Sequence, residues 1–216
     1  MVHRTLTPQS PPTFQTHMPT IVYAHGFKSS SHSRKATQLR DHLLAHNTGI
    51  DFYAPNLSFE PDIAITQLMR SCANIAADDL TLVGSSLGGF YAQVIAEKRA
   101  CRAVFLNPSI RPFDTLAQYL GPQKNLYTGE VFEFTIKHVK TLRDLFVAQI
   151  THPERYLLIV ETGDEVLDYR AAVACYAGAA QIVIAGGDHE LTSFPAHIPA
   201  LLAFARGAFS NTQGIA

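Results

Sequence analysis

The chain has 216 residues, 47% of them hydrophobic and 16% charged, which suits one domain with a substantial core. Its net charge of −1, with no long run of either sign, excludes the basic footprint of a nucleic-acid binder or of a protein held on an anionic membrane. No stretch approaches the roughly 18 apolar residues of a membrane span, and Cys72, Cys101 and Cys175 are too few and too scattered for a disulfide framework, so a cytoplasmic protein with reduced, mostly buried thiols is expected.

Residues 1–19 carry Arg4, Pro8, Pro11, Pro12 and Pro19 and no apolar run. They are expected to form a flexible leader outside a single domain spanning 20–216. The run Ile21-Val22-Tyr23-Ala24 stops at His25-Gly26 and predicts a buried strand. Ala36, Leu39, Leu43 and Leu44 give 33–46 a helical spacing, and 51–54 is a second strand ending at Pro55. Ile63, Ile65, Leu68 and Met69 mark a helix over about 62–76. A third strand at 80–83 runs into Gly84, followed by a helix over 87–98 and a fourth strand at 103–106 that stops at Asn107-Pro108. Strands at 156–160 and 181–185, a helix near 168–176 and a terminal helix over 197–209 complete the alternation. Six apolar strands alternating with helices predict an α/β domain, a mainly parallel sheet covered by helices on both faces. Between the fourth and fifth strands the long segment 109–155, with a helical stretch near 140–150, is expected to be a helical cover.

Ligands of open parallel sheets bind at the carboxyl ends of the strands. After the third strand comes Gly84-Ser85-Ser86-Leu87-Gly88-Gly89, a G-x-S-x-G turn between strand and helix. Such a turn crowds the positions two before and two after the nucleophile. Ser86 has Gly84 and Gly88 there, whereas Ser85 would have Val83 and Leu87, so Ser86 is the candidate nucleophile. The Leu87 N–H, at a helix N-terminus, is a candidate oxyanion donor. A second is the Phe27 N–H in the loop His25-Gly26-Phe27-Lys28.

A serine hydroxyl needs a base held by an acid, in the chain order serine, acid, histidine. The fifth strand ends into Glu161-Thr162-Gly163-Asp164-Glu165-Val166-Leu167-Asp168, and the sixth into Gly186-Gly187-Asp188-His189. His189 is the best-placed base, ahead of His197, which would start the last helix, and of His138 and His152 in the cover. Asp164 is the best-placed acid. Asp168 suits the N-cap of the next helix, and Asp188 is badly angled to hold its neighbour's ring. His25 is expected as a buried ring fixing its own loop. Lys28 and Arg111 could meet an anionic substrate group, the plainer expectation for each being a solvated surface charge. His42 and His46 share a helix face but lack the glutamate of H-E-x-x-H, so no metal is expected.

His25-Gly26-Phe27-Lys28-Ser29-Ser30, Gly84-Ser85-Ser86-Leu87-Gly88-Gly89-Phe90-Tyr91-Ala92, Asn107-Pro108, Arg111-Pro112-Phe113 and Tyr127-Thr128-Gly129 together resemble the YqiA-like esterases of bacteria, as do Thr162-Gly163-Asp164-Glu165-Val166-Leu167-Asp168-Tyr169-Arg170 and Gly186-Gly187-Asp188-His189. The resemblance runs from about Pro19 to Phe209. It implies a compact α/β-hydrolase with Ser86, Asp164 and His189 as its triad, acting on carboxylic esters or acyl-CoA thioesters without a cofactor. Because the leader is too short and broken for two antiparallel strands, six core strands are expected rather than eight. The expected reaction is attack by Ser86, with the oxyanion held by Phe27 and Leu87, then hydrolysis of the acyl-enzyme by water that His189 deprotonates. Peptidase or acyl-transfer chemistry on the same triad, and a non-catalytic binding protein of this fold, are the rival readings. Phe113, Leu116, Tyr119, Leu120 and Phe132 of the cover suggest an apolar acyl site.

Overall fold

The computed structural model describes residues 18–209, so the leader expected at 1–19 lies almost wholly outside the described residues. Six parallel strands form the main sheet: β1 (Thr20–Ala24), β2 (Asp51–Tyr53), β3 (Leu80–Ser85), β4 (Arg102–Leu106), β7 (Tyr156–Glu161) and β8 (Ala180–Ile184). Their spatial order is β2-β1-β3-β4-β7-β8. β3, which leads into Ser86, therefore lies centrally, with Ala24 of β1 beside Gly84 and Leu106 of β4 beside Ser85.

Strand alternation divides the core in two. Val22, Leu82, Phe105 and Leu158 face one side, against α2 (Pro61–Cys72), α3 (Leu87–Arg99) and the cover. Tyr23, Val83, Val104 and Ile159 face the other, against α1 (Arg34–Ala45) and α7 (Phe194–Ala205). β3 and β7 are buried along their whole length, which is why apolar residues stand on both faces at Leu82-Val83 and throughout 156–160.

The helix faces are narrower than expected. α1 buries Ala36, Leu39 and Leu43 but leaves Leu44 73% exposed, since one residue turns the side chain about 100° around the axis. α2 likewise buries Ala64, Leu68 and Cys72 and turns Ile63 outward. α6 (Tyr169–Cys175) starts as expected, with Asp168 accepting from the Arg170 N–H at its N-cap. α7 begins at Phe194 rather than at 197, and Pro195 occupies its first turn, where a missing N–H is harmless. Cys72, Cys101 and Cys175 are free thiols.

The cover differs most from expectation. It opens with α4 (Pro112–Thr115), then forms an antiparallel pair of β5 (Gly121–Lys124) and β6 (Val131–Phe134), so it is not simply helical. Its helix α5 (Ile136–Asp144) starts earlier than expected because Thr135 and His138 form a capping box.

Candidate active site

β3 delivers Ser86 in a left-handed conformation, φ 54° and ψ −122°. For a residue other than glycine this strain costs about 1–3 kcal/mol. It persists because the turn is held on both sides: the Ser86 N–H donates to the Leu106 carbonyl (3.1 Å), and the Ser86 carbonyl accepts from Gly89 (2.9 Å) and Ser109 (3.0 Å). The flanking glycines are obligatory. A Cβ on Gly84 would lie 2.3 Å from the Gly88 carbonyl oxygen, and one on Gly88 would lie 2.0 Å from that of Ala24.

Three side chains from three strand ends converge. Ser86 Oγ lies 3.2 Å from His189 Nε2, and His189 Nδ1 lies 3.0 and 2.9 Å from the two oxygens of Asp164. With Asp164 accepting from Nδ1–H, Nε2 is the lone-pair nitrogen facing the serine. The Asp164 carboxylate is almost completely buried and also accepts from the Val166 and Leu167 amides, so the loop itself fixes its direction.

Other residues named from the sequence separate cleanly. Asp188 accepts from the Thr192 N–H and does not hold the His189 ring. His138 caps α5 and His152 pairs with Glu154. His197 lies inside α7, and burial lowers its pKa. His25 is a buried ring: Nε2 accepts from the Leu57 N–H (2.9 Å) and Nδ1 lies 3.0 Å from the Gly26 carbonyl. Burial pushes its pKa below the ordinary histidine value. The His42 and His46 rings stack 4.1 Å apart, and no metal-sized group of ligands occurs among the described residues.

Gly26 lies directly against Ser86. A Cβ there would stand 3.2 Å from Ser86 Cβ and 3.6 Å from Oγ. The next amide in the chain, Phe27 N–H, and that of Leu87 donate to no backbone acceptor among the described residues. Both are therefore free for a developing oxyanion. The Phe27 ring packs against Tyr119, Phe132 and Phe134 of the cover, with centroids 5.9, 5.9 and 5.0 Å away. The Leu126 N–H donates to the Lys28 carbonyl, and Asn125 Nδ2 donates to the Ser29 carbonyl, both at 2.8 Å. The β5–β6 hairpin thus clamps the loop that carries Phe27.

Beside Phe27 and Leu87 opens a cavity of about 250 Å³. Its side chains include Lys28, Asn56, Ser58, Gln67, Glu130 and Phe132. The cover contributes little to the apolar part of this cavity, where Phe132 stands beside Phe27, Leu57 and Phe59. Phe113 and Leu116 are buried in the core, Leu120 is exposed, and of the five cover residues expected to form an apolar acyl site only Phe132 lines this cavity.

Glu161, Asn107 and Asn125 are positioning residues that sequence reasoning missed. Glu161 ends β7 with no exposure, accepting from the Asp188 N–H (2.7 Å) and the Ser193 N–H (3.0 Å). Burial pushes its carboxyl up, but donors from Ser193, Asp188 and Thr192 outweigh it and hold the pKa below the usual carboxylate value. Asn107 Nδ2 donates to the carbonyls of Asp188 and His189, while its Oδ1 accepts from the Glu161 N–H. From the opposite side, buried Lys35 donates to the Glu190 carbonyl (2.9 Å). A charged residue closing the wholly apolar strand 156–160 was the available signal for Glu161.

Residues 20–206 match the model of the uncharacterised protein family UPF0227. Among solved structures, the chain is similar to a protein of Agrobacterium vitis S4 (18% identity, 87% of this chain and 88% of that one, TM-score 0.69). It is similar to the α/β-hydrolase domain-containing protein 10 of mouse (16%, 92% and 89%, TM-score 0.65). It is also similar to Est1E of Butyrivibrio proteoclasticus with ferulic acid bound (16%, 91% and 90%, TM-score 0.61). The fold is that of the α/β-hydrolases, and the chain belongs to the UPF0227 family, the YqiA-like group that its motifs resemble.

Proposed function

We propose that this protein is a serine esterase that hydrolyses carboxylic esters through an acyl-enzyme on Ser86. The observation that carries this reading is the continuous chain Ser86 Oγ, His189 Nε2, His189 Nδ1 and Asp164, with links of 3.2 and 2.9 Å. Ser86 Oγ attacks the acyl carbonyl as its proton passes to Nε2, and Asp164 stabilises the resulting imidazolium. The carbonyl oxygen, now negative, sits between the Phe27 and Leu87 amides, where the first turn of α3 adds its dipole. The imidazolium protonates the departing alcohol. Water, deprotonated by His189, then attacks the acyl-enzyme and frees Ser86 and the acid.

Serine rather than aspartate at position 86 argues against reactions that need a carboxylate nucleophile, and Est1E, which shares the fold, binds ferulic acid, a carboxylic acid of the kind that ester hydrolysis releases. The same sequence of steps applies to acyl-CoA thioesters. A fluorophosphonate probe is expected to label Ser86 in the native protein and not in Ser86→Ala. Ser86→Ala is expected to lower kcat on p-nitrophenyl butyrate by about a million-fold. Hydrolysis that survives this change at near the wild-type rate refutes the reading. A panel of p-nitrophenyl esters of graded length, run against acyl-CoA thioesters, assigns the leaving group.

A further inference from the structure

We propose that the cavity beside Phe27 and Leu87 receives an anionic group of the substrate, a carboxylate or a phosphate a few bonds from the scissile carbonyl, with Lys28 as its counter-charge. The proposal rests on the ester-hydrolase reading for the carbonyl and adds to it the chemical class of the substrate.

The polar side chains of the lining have their acceptors and donors unequally used. Asn56 Oδ1 already accepts from the Ser31 N–H, Gln67 Oε1 from the Ser58 N–H (2.8 Å), and Ser58 Oγ from the Glu60 N–H (3.1 Å). With these acceptors Gln67 and Ser58 hold the segment before α2, and Asn56 ties it to the loop at Ser31. Their donors, by contrast, are all unspent: the two amide NH₂ groups and the Ser58 hydroxyl donate to no protein acceptor among the described residues. An apolar chain seated there would strip water from those donors and give nothing back. An anion with several lone pairs would satisfy them together.

Lys28 supplies the charge. It has no carboxylate within 4.0 Å among the described residues, and its ammonium is held 5.1 Å over the Tyr119 ring and 5.8 Å from that of Phe27. The rings fix the cation without neutralising it. Arg111, the other candidate for an anion, is already spent: its Nε lies 2.6 Å from Asp114, and its guanidinium stacks on Phe113. Glu130 is the one acid in the lining and is exposed, so water and salt screen its charge. Lys28 lines the same cavity as Gly26, Phe27 and Leu87, and Gly26 lies against Ser86, so an anion held there lies near the reacting carbon.

Mono-p-nitrophenyl glutarate and its methyl ester differ only in a carboxylate on the acyl side. 3-Carboxy-4-nitrophenyl butyrate and 4-nitrophenyl butyrate place the difference on the leaving group, after correction for their uncatalysed rates. In one of the two pairs the wild-type kcat/KM is expected to favour the charged ester by about 10- to 100-fold. That ratio is expected to collapse in Lys28→Met and to be largely restored in Lys28→Arg. Inorganic phosphate, as a competitive inhibitor of the wild type but not of Lys28→Met, would assign a phosphate.

Charged-to-neutral ratios near unity in both pairs, or equal ratios in wild type and Lys28→Met, overturn the proposal while leaving the esterase reading standing. Calorimetric titration of Ser86→Ala and of the Ser86→Ala, Lys28→Met double variant with monomethyl glutarate and with phosphate needs no turnover. If no ester is hydrolysed, Lys28-dependent heat keeps the anion site and removes only the esterase reading; its absence removes both.

Discussion

Replacing Glu161 by glutamine keeps the shape of the side chain and removes its charge, so it isolates what the buried carboxylate does for the His189 loop. The native carboxylate accepts from two amides of that loop, Asp188 at 2.7 Å and Ser193 at 3.0 Å, and has no exposure to water. Glutamine offers one oxygen where two are needed, and its NH₂ must face an N–H. One charge-assisted bond worth about 1.5–3 kcal/mol is lost, and the other weakens to about 1 kcal/mol, leaving a buried donor unmet. The expected loss is about 3 kcal/mol, a large share of a domain stability of about 5–15 kcal/mol.

The sign of the pH dependence follows from the lowered Glu161 pKa. The stabilisation is fully present above the unfolded value, about 4.3, and fades as pH falls through the lower folded value. Guanidinium unfolding of the wild type and Glu161→Gln at pH 7 and again near pH 3.5 measures it. The gap between the two proteins should shrink at the lower pH, and kcat on p-nitrophenyl butyrate at pH 7 should fall about tenfold as the His189 loop loosens. A gap below about 0.5 kcal/mol at pH 7, or one that does not change with pH, refutes the reasoning.

Ser86→Gly should abolish esterase activity yet raise the unfolding free energy by about 1 kcal/mol, because glycine adopts the φ of 54° without strain; a melting temperature at or below that of the wild type contradicts this. Asn125→Ala removes the tie to the Ser29 carbonyl and the acceptor for the Tyr127 and Thr128 amides. It should lower kcat more than it raises KM, with about 1–2 kcal/mol lost in denaturant titration; an unchanged kcat argues against the hairpin as a clamp on the oxyanion loop. Burial pushes the Cys72 and Cys101 thiols up to about 11 and about 12. Ellman's reagent at pH 8 should therefore titrate at most the half-buried Cys175 quickly in the native protein, and all three thiols after denaturation; rapid native labelling of Cys101 runs against the packing described.

What the sequence determined by itself was set by short-range rules. A strand, a tight turn and a helix within ten residues leave Ser86 one place to go, and Gly84 and Gly88 mark it because backbone from β1 and α3 closes on both. Asp164 and His189 were legible for the same reason, each lying a few residues past a strand whose apolar run was unambiguous. The same local logic reaches its limit at helix faces. Leu44 and Ile63 lie beside buried residues in sequence, and only the direction of the packed sheet decides which neighbour turns inward.

Only the tertiary structure decided what holds the site and what it opens onto. β5 reads Gly-Pro-Gln-Lys, with no apolar alternation; it is a strand because β6 pairs with it and packs Phe132 and Phe134 onto Phe27, about a hundred residues away in the chain. Glu161 looks misplaced at the end of an apolar strand until the amides of Asp188 and Ser193 meet it. Lys28 and Arg111 are indistinguishable as letters, yet one is paired with Asp114 and the other is not. The strand pairing of β5 and the partners of Glu161 depend on contacts between segments distant in sequence, which residue spacing does not encode; the Arg111–Asp114 pair is local and needed only the backbone of α4 to close it.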